Sequence, residues 1–378
     1  MKISDIHFII LTSPYYEAGG LRNYGMVALQ TEDGLTGLGE PYAGVNMPTV
    51  CKEAIRLLKP LIVGQDALGI DLLMERLHGT CEYFDHRGLI YCLLGAVEWA
   101  LADLAAQRAK IPLHRLLSKT SAESIEPYAS TGPASWTPEH VVEDLDGCFQ
   151  RGFRIAKIRA GCCMESLDQA IARCKKVAQR IPRGMRLGVD AGQQIIHRKC
   201  WDLSSATQLA QALSEDAIAF LEDPLLIHDR EGYVALRKLK LVPIAGGEMF
   251  AEPEQFEDYI QAGAFDLAQP DATVLSGPRA CMRVLNCARQ HDVRVAMHAW
   301  AGPVGQMQNI HAALASDVCD LVEITTFSHP LMEEMIAPLW KLENGRLQAP
   351  LTPGLGIALT QDIEQRYAHQ PSVVNLIA

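Results

Sequence analysis

Charged and titratable side chains that could perform chemistry recur along the chain, each at the end of a short apolar run. They are Lys157, Arg159, Asp190, Glu222, Glu248, Asp271, His298 and Glu323. Counted from Lys157, the steps to the next such run are 33, 32, 26, 23, 27 and 25 residues, about the length of one strand and its returning helix. Each residue is therefore expected at the C-terminal end of a parallel strand. In a (β/α)₈ barrel these ends form the active-site face.

The strands that must carry these residues are visible as eight apolar runs separated by amphipathic stretches. The predicted strands are Glu126–Ser130, Arg154–Ile158, Arg186–Val189, Ala219–Leu221, Pro243–Ala245, Phe265–Ala268, Arg294–Met297 and Leu321–Ile324. Eight such units indicate an α/β fold, either a closed parallel barrel or a doubly wound sheet. The count of eight, with a polar residue at nearly every strand end, favours a modified (β/α)₈ TIM barrel over residues 123–339.

Residues 1–122 do not follow this repeat and form a separate unit before the barrel. Their pattern predicts strands at Ile6–Thr12, Met26–Thr31 and Thr36–Gly39, with a hairpin turn at residues 33–34, and then helices. We therefore predict an α+β capping domain. The segment from about residue 340 to 378 is expected to leave the barrel and complete this domain.

Composition and charge argue against several classes of binding partner and cellular location. The 34 basic and 45 acidic side chains give a net charge of −11, and no basic run is present, which argues against nucleic acid. The apolar run Phe8–Leu11 is too short for a secretory signal. The stretch Leu89–Ala106 is interrupted by Glu98 and Asp103, so we predict a buried helix rather than a membrane span. Eleven cysteines without a CxxC pair favour reduced thiols and a cytoplasmic location.

Three carboxylates close successive strands in the segments GVD, FLED and GGE. Neighbouring strands lie about 4.8 Å apart, so Asp190, Glu222 and Glu248 can converge on one point, where they would repel one another. A divalent cation resolves this repulsion, and oxygen ligands with room for water and substrate suit Mg²⁺. The alternative is that each carboxylate forms a separate surface salt bridge. This alternative is disfavoured because three consecutive strand ends would rarely all be acidic by chance.

Asp271 and His298 end the sixth and seventh strands and are therefore neighbours. A carboxylate that accepts from one imidazole nitrogen fixes the tautomer and raises the basicity of the other nitrogen. No serine or cysteine stands at a nucleophile position, so His298 is better interpreted as a general base. A structural histidine with a local hydrogen bond is the alternative.

Lys157 and Arg159 lie two residues apart on the second strand, so both can point to the cavity. A pair of cations beside a metal suits an anionic substrate such as a carboxylate and the enolate that forms from it; an ion pair with a neighbouring carboxylate is the alternative. Glu323 ends the eighth strand. It could donate a hydrogen bond to substrate if its neighbours keep it protonated, or it could pair with Lys157 or Arg159.

Together these motifs resemble the enolase superfamily and, within it, the mandelate racemase subgroup. The resemblance rests on a set in order along the chain: AVEWALADLAAQRAKIPLHRLL from Ala96 to Leu117, KIR, VDA, LEDP, GGE, QPDAT, MHAW and PGLGI from Pro353. Each short motif alone is weak, but the full set at barrel spacing is specific. It covers essentially the whole chain.

The resemblance implies roles for the residues of the row. Asp190, Glu222 and Glu248 would bind Mg²⁺, and His298, oriented by Asp271, would be an acid or base. By the same resemblance Lys157 would contact the substrate carboxylate, Glu323 would be the hydrogen-bond donor, and loops at residues 15–23 and 43–48 would cap the site. The substrate contacts expected in these loops and at strand ends are Tyr15, Arg22, Asn46, Ser130 and Trp300.

The chain departs from the family pattern at two places. Many members carry D-x-N on the third strand, whereas this chain has Asp190-Ala191-Gly192, and Gln193 is the candidate for the missing polar contact. The position of a lysine base on the second strand holds Arg159, whose pKa above about 12 makes it a poor base. Racemisation needs proton exchange on both faces of the α-carbon, whereas elimination of water can proceed with one base.

We therefore expect a Mg²⁺-dependent sugar-acid dehydratase, a hydro-lyase that removes the α-proton and then water to give a 2-keto-3-deoxy acid. The alternative within the subgroup is a racemase or epimerase of an α-hydroxy carboxylate, with Arg159 or Lys157 exchanging the second proton. A non-catalytic carboxylate-binding barrel is the third hypothesis, but no ligand or dyad residue is lost. The expected partners are a small carboxylate and further copies of the chain in a homo-oligomer, without nucleic acid or membrane.

Overall fold

The computed structural model describes residues 1–15, 20–83, 88–160, 166–193, 201–327, 329–336 and 342–373. Residues 16–19 of the first predicted capping loop lie outside this range. The described chain forms two units, an antiparallel sheet covered by helices and a closed parallel barrel.

The capping domain is a three-stranded antiparallel sheet in the order β1-β2-β3, with helices packed against one face. Its strands are β1 (Ile3–Tyr15), β2 (Gly20–Thr31) and β3 (Thr36–Gly39). Its helices are α1 (Ala43–Asn46), α2 (Pro48–Ile62), α3 (Ile70–Cys81), α4 (Leu89–Ala109) and α5 (Leu113–Leu117). The predicted turn between β2 and β3 is present, and Gly34 adopts a positive φ of 86° there, a conformation that glycine reaches without strain.

Helix α4 is the core of this domain. Among the described residues it is the one helix long and apolar enough to cross a membrane, and 78% of its most apolar window is buried inside the protein, so the prediction of a buried helix is confirmed. Gly37 and Gly39 let β3 lie directly on it, because a Cβ there would come within 2.1 Å of Ala100 O and 1.9 Å of Ala96 O.

The barrel contains eight parallel strands in sequence order, and β11 pairs with β4 to close it. The strands are β4 (Ser124–Ser130), β5 (Ile155–Arg159), β6 (Arg186–Asp190), β7 (Ile218–Glu222), β8 (Ile244–Gly246), β9 (Leu267–Ala268), β10 (Arg294–Met297) and β11 (Cys319–Thr325). The helices around it are α6 (Pro138–Gln150), α7 (Leu167–Ala178), α8 (Leu203–Leu213), α9 (Arg230–Lys238), α10 (Pro253–Ala262), α11 (Pro278–Gln290) and α12 (Pro303–Leu314). The predicted closed barrel is confirmed.

The apolar interior of the barrel explains why its strand ends converge. A separate buried cluster contains Ile155, Phe220, Ala296 and Leu321, with Tyr128, Ala219, Ala245 and Leu267. Residues two apart on a strand point the same way. Lys157, Glu222, His298 and Glu323 each follow one of the first four by two positions, so their side chains form the next, polar layer toward the C-terminal face.

The segment after the barrel differs in one respect from the expectation for residues 340–378. After α13 (Pro330–Met335), strands β12 (Leu342–Glu343) and β13 (Arg346–Gln348) form a hairpin, and β13 pairs with β4 at the base of the barrel. Contact with the capping domain begins further on: Gly354 O accepts from Leu113 N at 2.9 Å. Beyond α14 (Gln361–Arg366), Tyr367 O accepts from Thr12 N on β1 at 2.8 Å.

Two buried histidines join the capping domain, the barrel and this tail. The rings of His114 on α5 and His311 on α12 are stacked with centroids 5.3 Å apart. His311 Nε2 lies 3.2 Å from the carbonyl of Leu355, so this nitrogen carries the proton, and His311 Nδ1 accepts from the His114 backbone N–H at 3.1 Å. Burial lowers the pKa of His311 to about 3 and that of His114 to about 4.

This junction predicts a loss of stability in mild acid. A histidine in the unfolded chain has a pKa near 6.5 and becomes protonated between pH 7 and pH 5. The folded His311 stays neutral in this range because its pKa is lower, so the free energy of unfolding falls as the pH falls. His311 should contribute roughly 1–2 kcal/mol of this fall. His311→Asn keeps an acceptor for His114 N–H but does not titrate. In urea unfolding, the variant should therefore lose less stability than the wild type between the two pH values; equal losses would contradict the assignment.

Candidate active site

Carboxylates from two adjacent strand ends meet at the C-terminal mouth of the barrel. Oxygens of Glu222, Asp223 and Glu248 all lie within 4.8 Å of one another. Glu222 ends β7, and Glu248 follows β8 after one residue, Gly247. Asp223 turns toward the same place with a φ of +43°, which is uncommon for a residue other than glycine. Three oxygen donors at this separation can bind a hard divalent cation.

Asp190, the third predicted ligand, ends β6 directly beside Glu222 in the strand register but is engaged elsewhere. Its Oδ2 pairs with Arg159 Nη1 at 2.6 Å, and its Oδ1 accepts from Gly192 N at 2.8 Å. The predicted alternative for Arg159, an ion pair with a neighbouring carboxylate, is therefore present.

The electrostatics of this cluster fit a bound cation. Burial, with Asp190, Glu248 and Glu323 nearby, raises the pKa of Glu222 to about 8 although Lys157 opposes the shift. Burial, with Glu248, Glu222 and Asp190 nearby, also holds the pKa of Asp223 well above its usual range. Asp223 Oδ2 is buried and has no hydrogen-bond partner in the described part of the chain. Crowded carboxylates that resist ionisation, with an unpartnered oxygen among them, are the environment that a divalent ion stabilises.

The predicted dyad is assembled. His298 Nδ1 lies 2.7 Å from Asp271 Oδ2, and because a carboxylate only accepts, Nδ1 carries the proton. The other oxygen of Asp271 accepts from Thr273 N and Oγ1, both at 2.7 Å, and from Asn309 Nδ2 at 3.0 Å. Asp271 is thus fixed on all sides, which sets the orientation of the imidazole.

The second imidazole nitrogen of His298 points to the carboxylates. Nε2 lies 3.2 Å from Glu248 Oε2 and 3.7 Å from Glu323 Oε2. Burial alone would lower the pKa of His298, but Glu248, Glu323 and Asp271 raise it to about 10. A cation bound at Glu248 would neutralise part of this field and so favour the neutral imidazole that can act as a base.

Lys157 pairs with Glu222, the alternative predicted for Lys157, and also with Glu323, the alternative predicted for Glu323. Lys157 Nζ lies 2.7 Å from Glu222 Oε1 and 2.9 Å from Glu323 Oε1. Glu323 Oε2 also accepts from Tyr128 OH at 3.2 Å and from Ala299 N at 3.1 Å. Burial raises the pKa of Glu323, but Lys157 and His298 outweigh it and hold this pKa at about 2. The donor role predicted for Glu323 requires a protonated carboxyl, and these contacts favour the carboxylate.

Aromatic and cationic side chains gather above these residues. The Trp300 ring lies under the Arg159 guanidinium, with 5.1 Å from Cζ to its centroid, and contacts Tyr15 edge-on with centroids 6.3 Å apart. Arg22 donates to Trp300 O at 3.0 Å and lies 4.8 Å above the Tyr15 ring. The structure therefore brings three of the predicted substrate contacts together beside Arg159. Asn46 lies at the end of α1 and is half-buried.

The two remaining predicted contacts differ from each other. Ser130 ends β4 in register with Lys157, is 3% exposed, and its side chain hydrogen-bonds Glu323, so it belongs to the site. Gln193 is buried, its Nε2 donates to Ala191 O at 2.9 Å, and its Oε1 accepts from Trp201 N at 2.8 Å. Because both ends of its amide are used within the loop, its predicted substrate contact is not supported.

Several residues of the site were not predicted from the sequence. Gln269 donates from Nε2 to Glu222 Oε2 at 2.5 Å, and its position at the end of β9 was a signal for it. Asp223 was not predicted as a site residue, because a residue next to Glu222 in a strand should point to the opposite face. Tyr42 lies on the chain between β3 and α1, close enough to Glu248 and Arg159 for their charges to affect the pKa of its hydroxyl. Nothing in the sequence marked it.

A larger cleft lies away from this chemistry. It has a volume of about 850 Å³ and opens between α4 and α11, where Glu98, Arg279 and Met282 line it. None of the site residues described above lines it, so cavity size alone does not locate the active site.

Proteins similar to this chain include sugar-acid enzymes. An arabinonate dehydratase from Saccharolobus solfataricus is 24% identical over 90% of this chain and 89% of its own length. A D-galactonate dehydratase from Verminephrobacter eiseniae is 24% identical over 88% of both chains. Among solved structures, the 3,6-anhydro-D-galactonate cycloisomerase from Zobellia galactanivorans has a TM-score of 0.87 and 25% identity, covering 98% of this chain and all of its own.

Family models match both units of the fold. Residues 18–118 match the N-terminal domain of the mandelate racemase and muconate lactonizing enzyme family, and residues 140–363 match the enolase C-terminal domain-like family. The two matches follow the division between capping domain and barrel. The chain belongs to the enolase superfamily, in its mandelate racemase subgroup.

Proposed function

We propose that the protein is a Mg²⁺-dependent dehydratase of a sugar acid. The observation that carries the proposal is the facing arrangement of His298 Nε2 and the carboxylate cluster, with the nitrogen 3.2 Å from Glu248 Oε2. A substrate held by the cluster would place its α-carbon next to the imidazole. The names of the arabinonate and galactonate dehydratases among similar proteins support the class of reaction.

The residues present fit the steps of a β-elimination. His298 takes the α-proton of the sugar acid, and the electron pair of that C–H bond moves into the carboxylate, where Lys157 balances the added charge. The C3–O bond then breaks, and the protonated His298 returns a proton to the departing hydroxyl so that it leaves as water. The enol that remains tautomerises to a 2-keto-3-deoxy acid.

A divalent cation would be held by Glu222 and Glu248, with Asp223 or Asp190 as a third ligand. When bound, it would supply Lewis-acid stabilisation of the charge that develops on the substrate carboxylate. Oxygen-only ligands favour Mg²⁺ over softer metals.

Arg159 argues against racemisation as the main activity. Its guanidinium is paired with Asp190 at 2.6 Å and stacked on Trp300, and an arginine held in this way stays protonated. A single base, His298, then serves one face of the α-carbon. Racemisation or epimerisation remains the second candidate because Lys157 is close enough to the same cluster to offer another proton.

The experiment is a screen of mono- and dicarboxylic sugar acids with Mg²⁺, scored for keto acid and repeated in D₂O. We expect keto acid from at least one acid, and recovered substrate that keeps its configuration even where its α-hydrogen has exchanged. An inverted, deuterated substrate without keto acid would establish an epimerase. A constitutional isomer of the substrate, formed without loss of water, would indicate a cycloisomerase, the activity named for the Zobellia protein.

We further propose a cytoplasmic location, supported by the eight described cysteines, which are buried free thiols. A small carboxylate and other copies of the chain are the proposed partners. Sedimentation of the purified protein tests the proposed homo-oligomer.

A further inference from the structure

We propose that Glu40, a residue of the capping domain, is a positioning residue for the His298–Asp271 dyad and acts through the N-terminus of helix α12. The inference rests on the proposed function only in that the dyad is taken as the acid and base.

Glu40 crosses from the capping domain into the barrel and is fully buried. It follows β3, and its carboxylate accepts from Gly302 N at 2.7 Å through Oε1 and from Gly305 N at 2.8 Å through Oε2. Its own backbone N–H donates to Gln308 Oε1 at 2.7 Å. Both oxygens of one carboxylate thus hold free N–H groups at the start of α12, where a negative charge is also favoured by the helix dipole.

The glycines at the start of α12 make this approach possible. A Cβ on Gly302 would lie 2.6 Å from Glu40 Oε1 and 2.8 Å from Tyr24 Cδ1. Any larger residue there would displace the carboxylate or the helix, because real atoms do not approach so closely. The fit between Glu40 and this helix start is therefore specific.

Helix α12 in turn hydrogen-bonds to two residues of the active site, Asp271 and Glu323. Asn309 donates to Asp271 Oδ1 at 3.0 Å, and Gln306 donates to the backbone carbonyl of Glu323 at 2.8 Å. The loop that leads into the helix carries His298 and Trp300. A shift of α12 would therefore move the imidazole and its carboxylate partner relative to each other.

The capping domain also hydrogen-bonds to the segment after Asp271. It therefore contacts the chain that follows each of the two dyad residues, Asp271 and His298. Trp99 Nε1 donates to Ala272 O at 3.0 Å, and Tyr42 N donates to Thr273 O at 2.8 Å. Glu40 is the acidic member of this support and reaches the start of the helix that follows the histidine strand, where Arg22 of the capping domain also donates to Trp300 O at 3.0 Å. Its contacts link cap docking to the geometry of the dyad.

Glu40→Gln tests the inference. The amide keeps one acceptor but turns an NH₂ group toward a backbone N–H, so one of the two bonds is lost. We expect kcat to fall about 10- to 100-fold, since a shift on the order of 1 Å remote from the chemistry can have this effect, while KM changes less than about threefold. In wild-type protein the His298 Nδ1 proton should give a downfield NMR signal, identified by its loss in His298→Asn, and Glu40→Gln should shift or broaden it.

Glu98→Gln is the matched control. Glu98 is also a buried carboxylate of the capping domain, and it pairs with Arg279 Nε of the barrel at 2.7 Å without contact to the dyad. It should lower the melting temperature as Glu40→Gln does but leave kcat and the NMR signal near wild-type values. If Glu40→Gln does not fold, Gly302→Ala disturbs the same bond from the other side.

Two outcomes would overturn the inference: an unchanged kcat and signal in Glu40→Gln, or equal losses in Glu98→Gln. The NMR signal needs no substrate, so it tests the positioning role even if no sugar acid is dehydrated. Absence of wild-type activity would count against the proposed function, whereas an unmoved signal would count against Glu40.

Discussion

Replacement of His298 by asparagine is expected to lower kcat by about 10²–10⁴-fold, the usual contribution of a general acid–base residue. Asparagine can still donate to Asp271 Oδ2, so the buried carboxylate keeps a partner. It has no counterpart of Nε2, the atom that lies 3.2 Å from Glu248 and 3.7 Å from Glu323. The α-proton then has no acceptor, while the residues that bind the substrate carboxylate remain.

The measurement is kcat by keto acid formation, together with substrate affinity by calorimetry, which should change little. His311→Asn makes the same substitution at a buried histidine outside the site and should keep most of the activity. If His298→Asn dehydrated substrate at even a tenth of the wild-type rate, His298 could not be the base.

Removal of divalent cations with a chelator is expected to abolish activity, and Mg²⁺ should restore it. Mg²⁺ should also raise the melting temperature, because an ion that binds only the folded state stabilises it. Glu248→Gln should weaken Mg²⁺ binding by more than about 10- to 100-fold, the loss typical of a merely supporting residue, because it removes a charged ligand.

Asp190→Asn and Asp223→Asn separate the two candidates for the third ligand. The cluster of contacting oxygens contains Asp223, whereas Asp190 is paired with Arg159. The variant of the true ligand should lose Mg²⁺ affinity as strongly as Glu248→Gln does, and the other should lose much less. Unchanged Mg²⁺ affinity in Glu248→Gln would place the cation elsewhere.

The barrel could be predicted from the sequence because a polar residue closes almost every apolar run. A parallel strand buried on both faces must be apolar, so a charge at its end is both a boundary and a site candidate. The same signal located Lys157, His298 and Glu323 in one polar layer. The residue types at strand ends were therefore enough to predict the barrel and most of the residues of the candidate site.

The protonation states of these groups and their contact partners could not be predicted from the sequence. The protonation of Glu323 depends on Lys157 approaching to 2.9 Å, and the use of Asp223 depends on a positive φ. Glu40 lies more than 200 residues before the helix that it contacts, as the separation of 262 from Gly302 shows. The turn pair Asn344-Gly345 between short strands indicates the β12–β13 hairpin, but nothing in the sequence indicates that β13 pairs with β4.

The way the tail returns to the first strand has a consequence for biosynthesis. Gln370 N donates to Thr12 Oγ1 across 358 residues, and Asn23 donates to Val373 O across 350. At about 5–20 residues per second, translation takes roughly 20–70 s to supply these partners after β1 has been made. Leu11 on β1 and Tyr24 on β2 belong to the same buried cluster as Ile363 and Tyr367 of the tail. These apolar side chains lack their tail partners through that interval, so the nascent chain should depend on chaperones that shield the early segment until release.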